Sequence, residues 1–125
     1  MSFALVCLGG AVGTGARYLL GGLAIRWLGA EFPYGTLLVN VLGSFLIGVV
    51  QELAFGAAVL PEHVRVVLAV GVLGGFTTYS AFAYESLRLA ADGSWGAALL
   101  YVGLTTALCF GACVLGVGAA RLASG

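Results

Sequence analysis

The sequence predicts an all-α membrane protein, a single unit of four transmembrane helices with a break in the third. Three observations carry that prediction. Of 125 residues, 62% are hydrophobic and only 8% are charged, against about 25% charged in soluble domains. Mean hydropathy is +1.13, and a helix crossing the hydrocarbon needs about 20 apolar residues, so four crossings use nearly the whole chain. The stretch GGFTTYSAF, Gly74 to Phe82, interrupts the third apolar run with two glycines, two threonines and a serine. Glycine costs a helix about 1 kcal/mol relative to alanine, and Ser/Thr hydroxyls compete for backbone partners. The helix is expected to loosen there, and carbonyls freed at membrane depth must be buried in protein, line a wet cavity or coordinate an ion.

The first span is expected over about 4–28. No basic residue precedes its apolar run, so it reads as a span and not as a cleavable signal. It is rich in small residues, which let membrane helices approach closely. Arg17 lies well inside it. An intramembrane arginine must snorkel, face water or find a partner, and both snorkelling and attraction of an anion suit this position. Trp27, Phe32, Pro33 and Tyr34 mark an interfacial loop. The second span is expected over about 35–58, with Asn40 near its start, Gly43, Ser44 and Gly48 on adjoining faces, and Gln51 and Glu52 near its far end.

Pro61, Glu62 and His63 make the next loop, where a lone histidine reads as an exposed residue. The third span, about 64–89, holds the interrupted stretch and then Tyr84, Glu85 and Arg88. Asp92 and Gly93 break it, and Trp95 anchors the interface. The fourth span, about 96–120, has Tyr101, Thr105 and Thr106 as its polar members. Cys7, Cys109 and Cys113 all lie in apolar segments. Cys109 and Cys113 are one helical turn apart, a spacing that suits metal, but no third ligand stands near and they are expected to be small packing residues.

All basic residues are arginines. With four spans, Arg65 and Arg121 flank one side and Arg26 and Arg88 the other. Orientation follows the arginine and lysine excess on cytoplasmic flanks, so this chain has little instruction about which way to insert. A chain that inserts both ways can pair with its own inverted copy, and an antiparallel homodimer is the expectation.

Enzymatic chemistry finds no support: there is no metal-ligand cluster, no phosphate-binding loop and no carboxylate pair at depth. Nor is there a basic patch interleaved with aromatics, so nucleic acid is not an expected partner. What lies at depth is a set of neutral donors: the Asn40 amide and the hydroxyls of Thr77, Thr78, Tyr79, Ser80, Tyr101, Thr105 and Thr106. Tyr79 and Phe82 are three apart, hence on one face, and an aromatic ring offers a positive edge. Donors and ring edges without fixed negative charge suit a small dehydrating anion. Each alone reads as helix packing; the combination points to an anion path.

Three ordered blocks now stand out: GGAVGTGARY (Gly9 to Tyr18), GTLLVNVLGSFLIG (Gly35 to Gly48) and GVLGGFTTYSAF (Gly71 to Phe82). Along essentially its whole length the chain resembles the small bacterial fluoride channels called CrcB or Fluc. The resemblance implies a dual-topology antiparallel homodimer in the cell inner membrane or plasma membrane, surrounded by lipid, that exports fluoride passively. It further implies a central Na+, structural and not transported, held by the backbone carbonyls of Gly74 and Thr77 from both subunits. Carried over residue by residue, Asn40 donates to fluoride, Tyr79 and Phe82 form the aromatic pair, and Ser80 and Tyr101 contribute to a polar track. Arg17 falls at the vestibule, and Glu85 matches a carboxylate at the pathway end. The chain departs from the family pattern at Tyr79, usually phenylalanine, and at Ala81, commonly threonine. A small four-helix multidrug exporter is the alternative, but proton-coupled cation export calls for an acid deep in the first span, which has none.

Placing a negative charge in an anion path should suppress flux. Asn40→Asp is therefore expected to abolish most fluoride flux from correctly assembled protein in liposomes; unchanged flux would remove Asn40 from the path.

Overall fold

The computed structural model describes residues 2–125, and four of its helices are long and apolar enough to cross a membrane. The first is α1, Ser2–Leu28. The second comprises α2, Tyr34–Gln51, prolonged by a π-helical turn over Glu52–Gly56. The third is assembled from pieces: α3, Glu62–Val66, a π-helical stretch Val67–Val72, α4, Leu73–Phe76, and α5, Tyr79–Ala91. The fourth is α6, Trp95–Ser124. His63, expected in a loop, lies in the exposed first turn of α3.

Two helix ends are closed by glycines in the left-handed region, which a side chain disfavours. After α1, Gly29 has φ +89° and its N–H donates to the Ile25 carbonyl. After α5, Gly93 has φ +85°, its N–H donates to Ala90 O, and Ser94 N–H donates to Leu89 O. This paired closure satisfies carbonyls that a helix end would otherwise leave bare.

The third span changes neighbours along its length. Its first half, the π-helical stretch and α4, lies against α1, while α5 lies against α6. Between them α2 packs on α1, on α4 and most extensively on α6. A straight helix cannot serve both partners, and the break between α4 and α5 is where the exchange occurs.

Close approach of α2 and α6 rests on two glycines facing one another's backbone. A Cβ on Gly48 would strike the Cys113 carbonyl, and one on Gly116 would strike the Phe45 carbonyl. Without a hydrophobic driving force between helices in lipid, such backbone proximity supplies the van der Waals contact that holds them. The compact core sits at one end, where Leu89, Ala98 and the fully buried Tyr101 pack with Phe32, Leu37 and Phe82. Many large apolar side chains, including Phe3, Tyr18, Leu99 and Leu122, are exposed, as a lipid-facing surface requires.

At the opposite end, the Glu52 carboxylate meets Arg121 Nε at 3.3 Å. The sequence places Glu52 only near the far end of the second span; its side chain is 14% exposed. Gly56 makes this possible, because a Cβ there would occupy the carboxylate's position.

Gly116→Val is expected to force α2 and α6 apart and to destabilise the protein by roughly 1–3 kcal/mol. Gly118→Ala, where a Cβ meets nothing within 4 Å, should stay within about 0.5 kcal/mol of the parent. Thermal unfolding in detergent distinguishes them, and equal midpoints for the two variants would contradict this packing.

Candidate functional site

The break consists of two extended residues. Thr77 has φ −86°, ψ 160° and Thr78 φ −150°, ψ 120°. β-Branched residues favour extended backbone, and the preceding Gly74 and Gly75 weaken the helix on its N-terminal side. Thr77 closes α4 by donating both its N–H (3.0 Å) and its hydroxyl (2.9 Å) to the Leu73 carbonyl. Thr78 opens α5 as its N-cap, its Oγ1 accepting from Ala81 N–H at 3.2 Å. The Ser80 hydroxyl lies 3.4 Å from the same oxygen.

Asn40 holds the break from α2. Its Nδ2 donates to the Thr78 carbonyl at 2.9 Å, and its Oδ1 accepts from Thr78 N–H at 2.8 Å. The side-chain amide thus pairs with one residue's donor and acceptor together, as a neighbouring strand would. Among the described residues one Nδ2 hydrogen remains free, since a primary amide carries two. On the adjoining face a Cβ at Gly43 would collide with the Thr77 methyl, so the absence of a side chain there seats the threonine.

Arg17 holds the break from α1. Its Nε donates to the Gly75 carbonyl at 3.1 Å, with Thr14 Oγ1 at 3.5 Å from the same oxygen. Pairing with a freed backbone carbonyl is one of the few arrangements that keep an arginine inside a membrane protein. The sequence left Arg17 between snorkelling and anion attraction; the structure gives it a backbone partner 58 positions away.

A bookkeeping of donors shows which carbonyls stay unmatched. In a continuous helix Gly74 O would accept from Thr78 N–H and Thr77 O from Ala81 N–H. The first donor is taken by Asn40 and the second by the Thr78 hydroxyl. Among the described residues Gly74, Phe76 and Thr77 therefore lose their helical donors, whereas Leu73 keeps its own, Thr77 N–H, and Gly75 and Thr78 accept from Arg17 and Asn40.

Two cavities flank this point. One, of about 450 Å³, is lined by Asn40, Gly74, Thr77, Tyr79, Phe82 and Thr105 among others, none of them charged. The other, of about 960 Å³, is lined by Arg17, Tyr34, Ala81, Glu85 and Arg88 among others. Thr78 lines both, so the break is the partition between a neutral groove and a cavity with charged residues in its wall.

Tyr79 and Phe82 come together as their spacing requires, ring centroids 5.7 Å apart and tilted at 52°. Tyr79 is 80% exposed at the groove mouth. Phe82 leans on Tyr101 at 5.2 Å, and Tyr101 meets Phe32 edge-on at 5.4 Å. Tyr101 lines neither cavity: it is 0% exposed, and its hydroxyl donates to Glu85 Oε1 at 3.0 Å. Ser80 is exposed and lines neither cavity, touching the site through Thr78.

The buried Thr105 Oγ1, in the groove wall, has no hydrogen-bond partner within the described residues. Sequence reasoning missed the roles of Thr14, Gly43 and Gly75. Gly43 left a faint signal, since a glycine facing a polar helix break is a candidate for close approach; the partnership of Gly75 O with Arg17 had none.

A family model described as CrcB-like protein, Camphor Resistance (CrcB), matches residues 4–117. A protein of Anaeromyxobacter dehalogenans named fluoride-specific ion channel FluC is 50% identical over 108 residues, 86% of each chain. One of the same name from Magnetococcus marinus is 45% identical over 122 residues, 98% of this chain and 99% of its own. Another, from Thermus thermophilus, is 54% identical over 99 residues, 79% and 78% respectively.

Thr78→Val keeps the shape but removes the cap and is expected to cost about 1 kcal/mol, read as a lowered unfolding midpoint in detergent, with Thr78→Ser restoring most of it. Equal midpoints for all three proteins would contradict the capping role.

With a match across nearly the whole chain and relatives this similar, the chain belongs to the CrcB family, whose members named above are ion channels and not enzymes.

Proposed function

We propose that this chain is a fluoride-selective channel that lets fluoride leave the cell passively and so lowers its cytoplasmic concentration. The observation that carries the reading is the uncharged, donor-lined groove at the helix break, in a chain whose relatives are named fluoride-specific. A small anion that gives up its water needs replacement donors without competing carboxylates, and this groove supplies them. Its multi-pass placement is in the cell inner membrane or plasma membrane.

The charged vestibule gathers the anion, with Arg17 and Arg88 in its wall. From there the path leads past Thr78, whose hydroxyl Ser80 contacts, to the remaining Nδ2 hydrogen of Asn40. Tyr79 and Phe82 present ring edges along the groove, and the Tyr79 hydroxyl adds a donor that a phenylalanine lacks. Tyr101 supports the path from behind Phe82 and orients Glu85, a carboxylate at the vestibule end. Asn40 has two tasks, since the amide that serves the anion also holds Thr78.

The functional unit is an antiparallel homodimer, supported by the balanced arginine flanks and by a groove that one chain leaves open, with Tyr79 and Phe110 exposed along it. A structural Na+ fits the break: Gly74 and Thr77 are among the carbonyls left without helical donors there, and oxygen ligands suit a hard cation. Two carbonyls from each copy would hold it, and among the described residues no group of three or more acidic, His or Cys side chains comes together. Gly74 and Thr77 would hold the ion, which would offset the dipoles of their unmatched carbonyls at membrane depth. The cation-exporter alternative lacks support because α1 carries no acidic residue.

Proteoliposomes loaded with fluoride and read by a fluoride electrode test the proposal. Rapid fluoride loss without chloride loss is expected, falling when protein is purified and assayed without sodium. Equal chloride efflux, or no fluoride efflux, would overturn the channel reading; sodium-independent flux would overturn the ion site alone.

A further inference from the structure

Cys109 and Cys113 are both free and both half-buried on α6. Residues four apart on a helix share a face, with Cβ atoms about 5–6 Å apart. Cys109 lines the neutral groove beside Thr105, Thr106 and Phe110, and Cys113 continues the stripe one turn on, where its backbone faces Gly48. Among the described residues no carboxylate or imidazole joins them, since no group of three metal-ligating side chains occurs. That excludes the four-ligand sites that zinc prefers. A soft monovalent cation differs, because two thiolates in line complete its coordination and thiolate is the ligand it selects.

We propose that Cys109 and Cys113 form a two-thiolate site for a soft monovalent cation of the Cu(I)/Ag(I) class, in the wall of the groove. Binding breaks two S–H bonds, releases both protons to water and forms two S–metal bonds, with no change of oxidation state. The product, two thiolates and one monovalent cation, carries one net negative charge. Every other lining residue of the groove is uncharged. A fixed negative charge there repels an anion, so metal occupancy closes the path to fluoride; this consequence rests on the groove being the anion path.

The experiment uses the full chain carrying Cys7→Ser, an exposed position on α1 that does not line the groove, reconstituted in chloride-free liposomes and titrated with silver nitrate. One silver ion per chain is expected to protect both remaining thiols from maleimide, and to lower fluoride efflux by roughly ten-fold or more, reversibly with dithiothreitol. Adding Cys109→Ser or Cys113→Ser should each weaken silver binding by more than about ten-fold. Silver bound one per thiol, or bound equally well after either substitution, overturns the paired site. Paired binding with unaltered fluoride efflux upholds the site and contradicts the groove as the fluoride path.

Discussion

The pairing of the Asn40 side-chain amide with both backbone groups of Thr78 is the interaction on which the rest depends. A break in a membrane helix leaves peptide groups that water cannot reach, and each costs several kcal/mol if unsatisfied. Asn40 answers one donor and one acceptor at once, from a different helix. It thereby removes Thr78 N–H from Gly74 O and makes that carbonyl available. A structural hydrogen bond thus determines which oxygens the protein can offer to a ligand.

The architecture follows from holding this break open. Because α4 ends at Phe76 and α5 restarts at Tyr79, the third span can lie first on α1 and then on α6. Arg17 anchors the α1 side through Gly75 O, and Tyr101 anchors the α6 side through Phe82 and Glu85. The anchored positions, Gly75 on one hand and Phe82 and Glu85 on the other, come before and after Thr78 in the chain, and Thr78 lines both cavities. Glycines at 48 and 116 bring α2 against α6, which brings Asn40 and Thr105 into one groove wall.

The broad plan was legible from composition because lipid permits so few backbone solutions: four apolar runs can only become helices or a barrel, and their length selects helices. The weak point was legible from Gly74, Gly75, Thr77 and Thr78, although only coordinates show that just two residues become extended. The facing of Tyr79 and Phe82 followed from helical periodicity. Partnerships across helices were another matter. Nothing in the sequence joins Arg17 to Gly75 or Glu52 to Arg121, because both depend on the relative height of two spans, which hydropathy does not encode. Donor capacity was also easier to read than donor use: Tyr101 reads as a hydroxyl available to an anion, yet its proton is committed to Glu85.

The most direct measurement of the central claim is residue-resolved amide hydrogen exchange at Thr78 in lipid nanodiscs, for the parent chain and for Asn40→Leu. The account predicts a protected Thr78 amide in the parent, although it lies outside any helix, and loss of that protection in the variant while amides within α2 and α6 exchange as before. A Thr78 amide that exchanges freely in the parent, or one equally protected without the Asn40 amide, would contradict it.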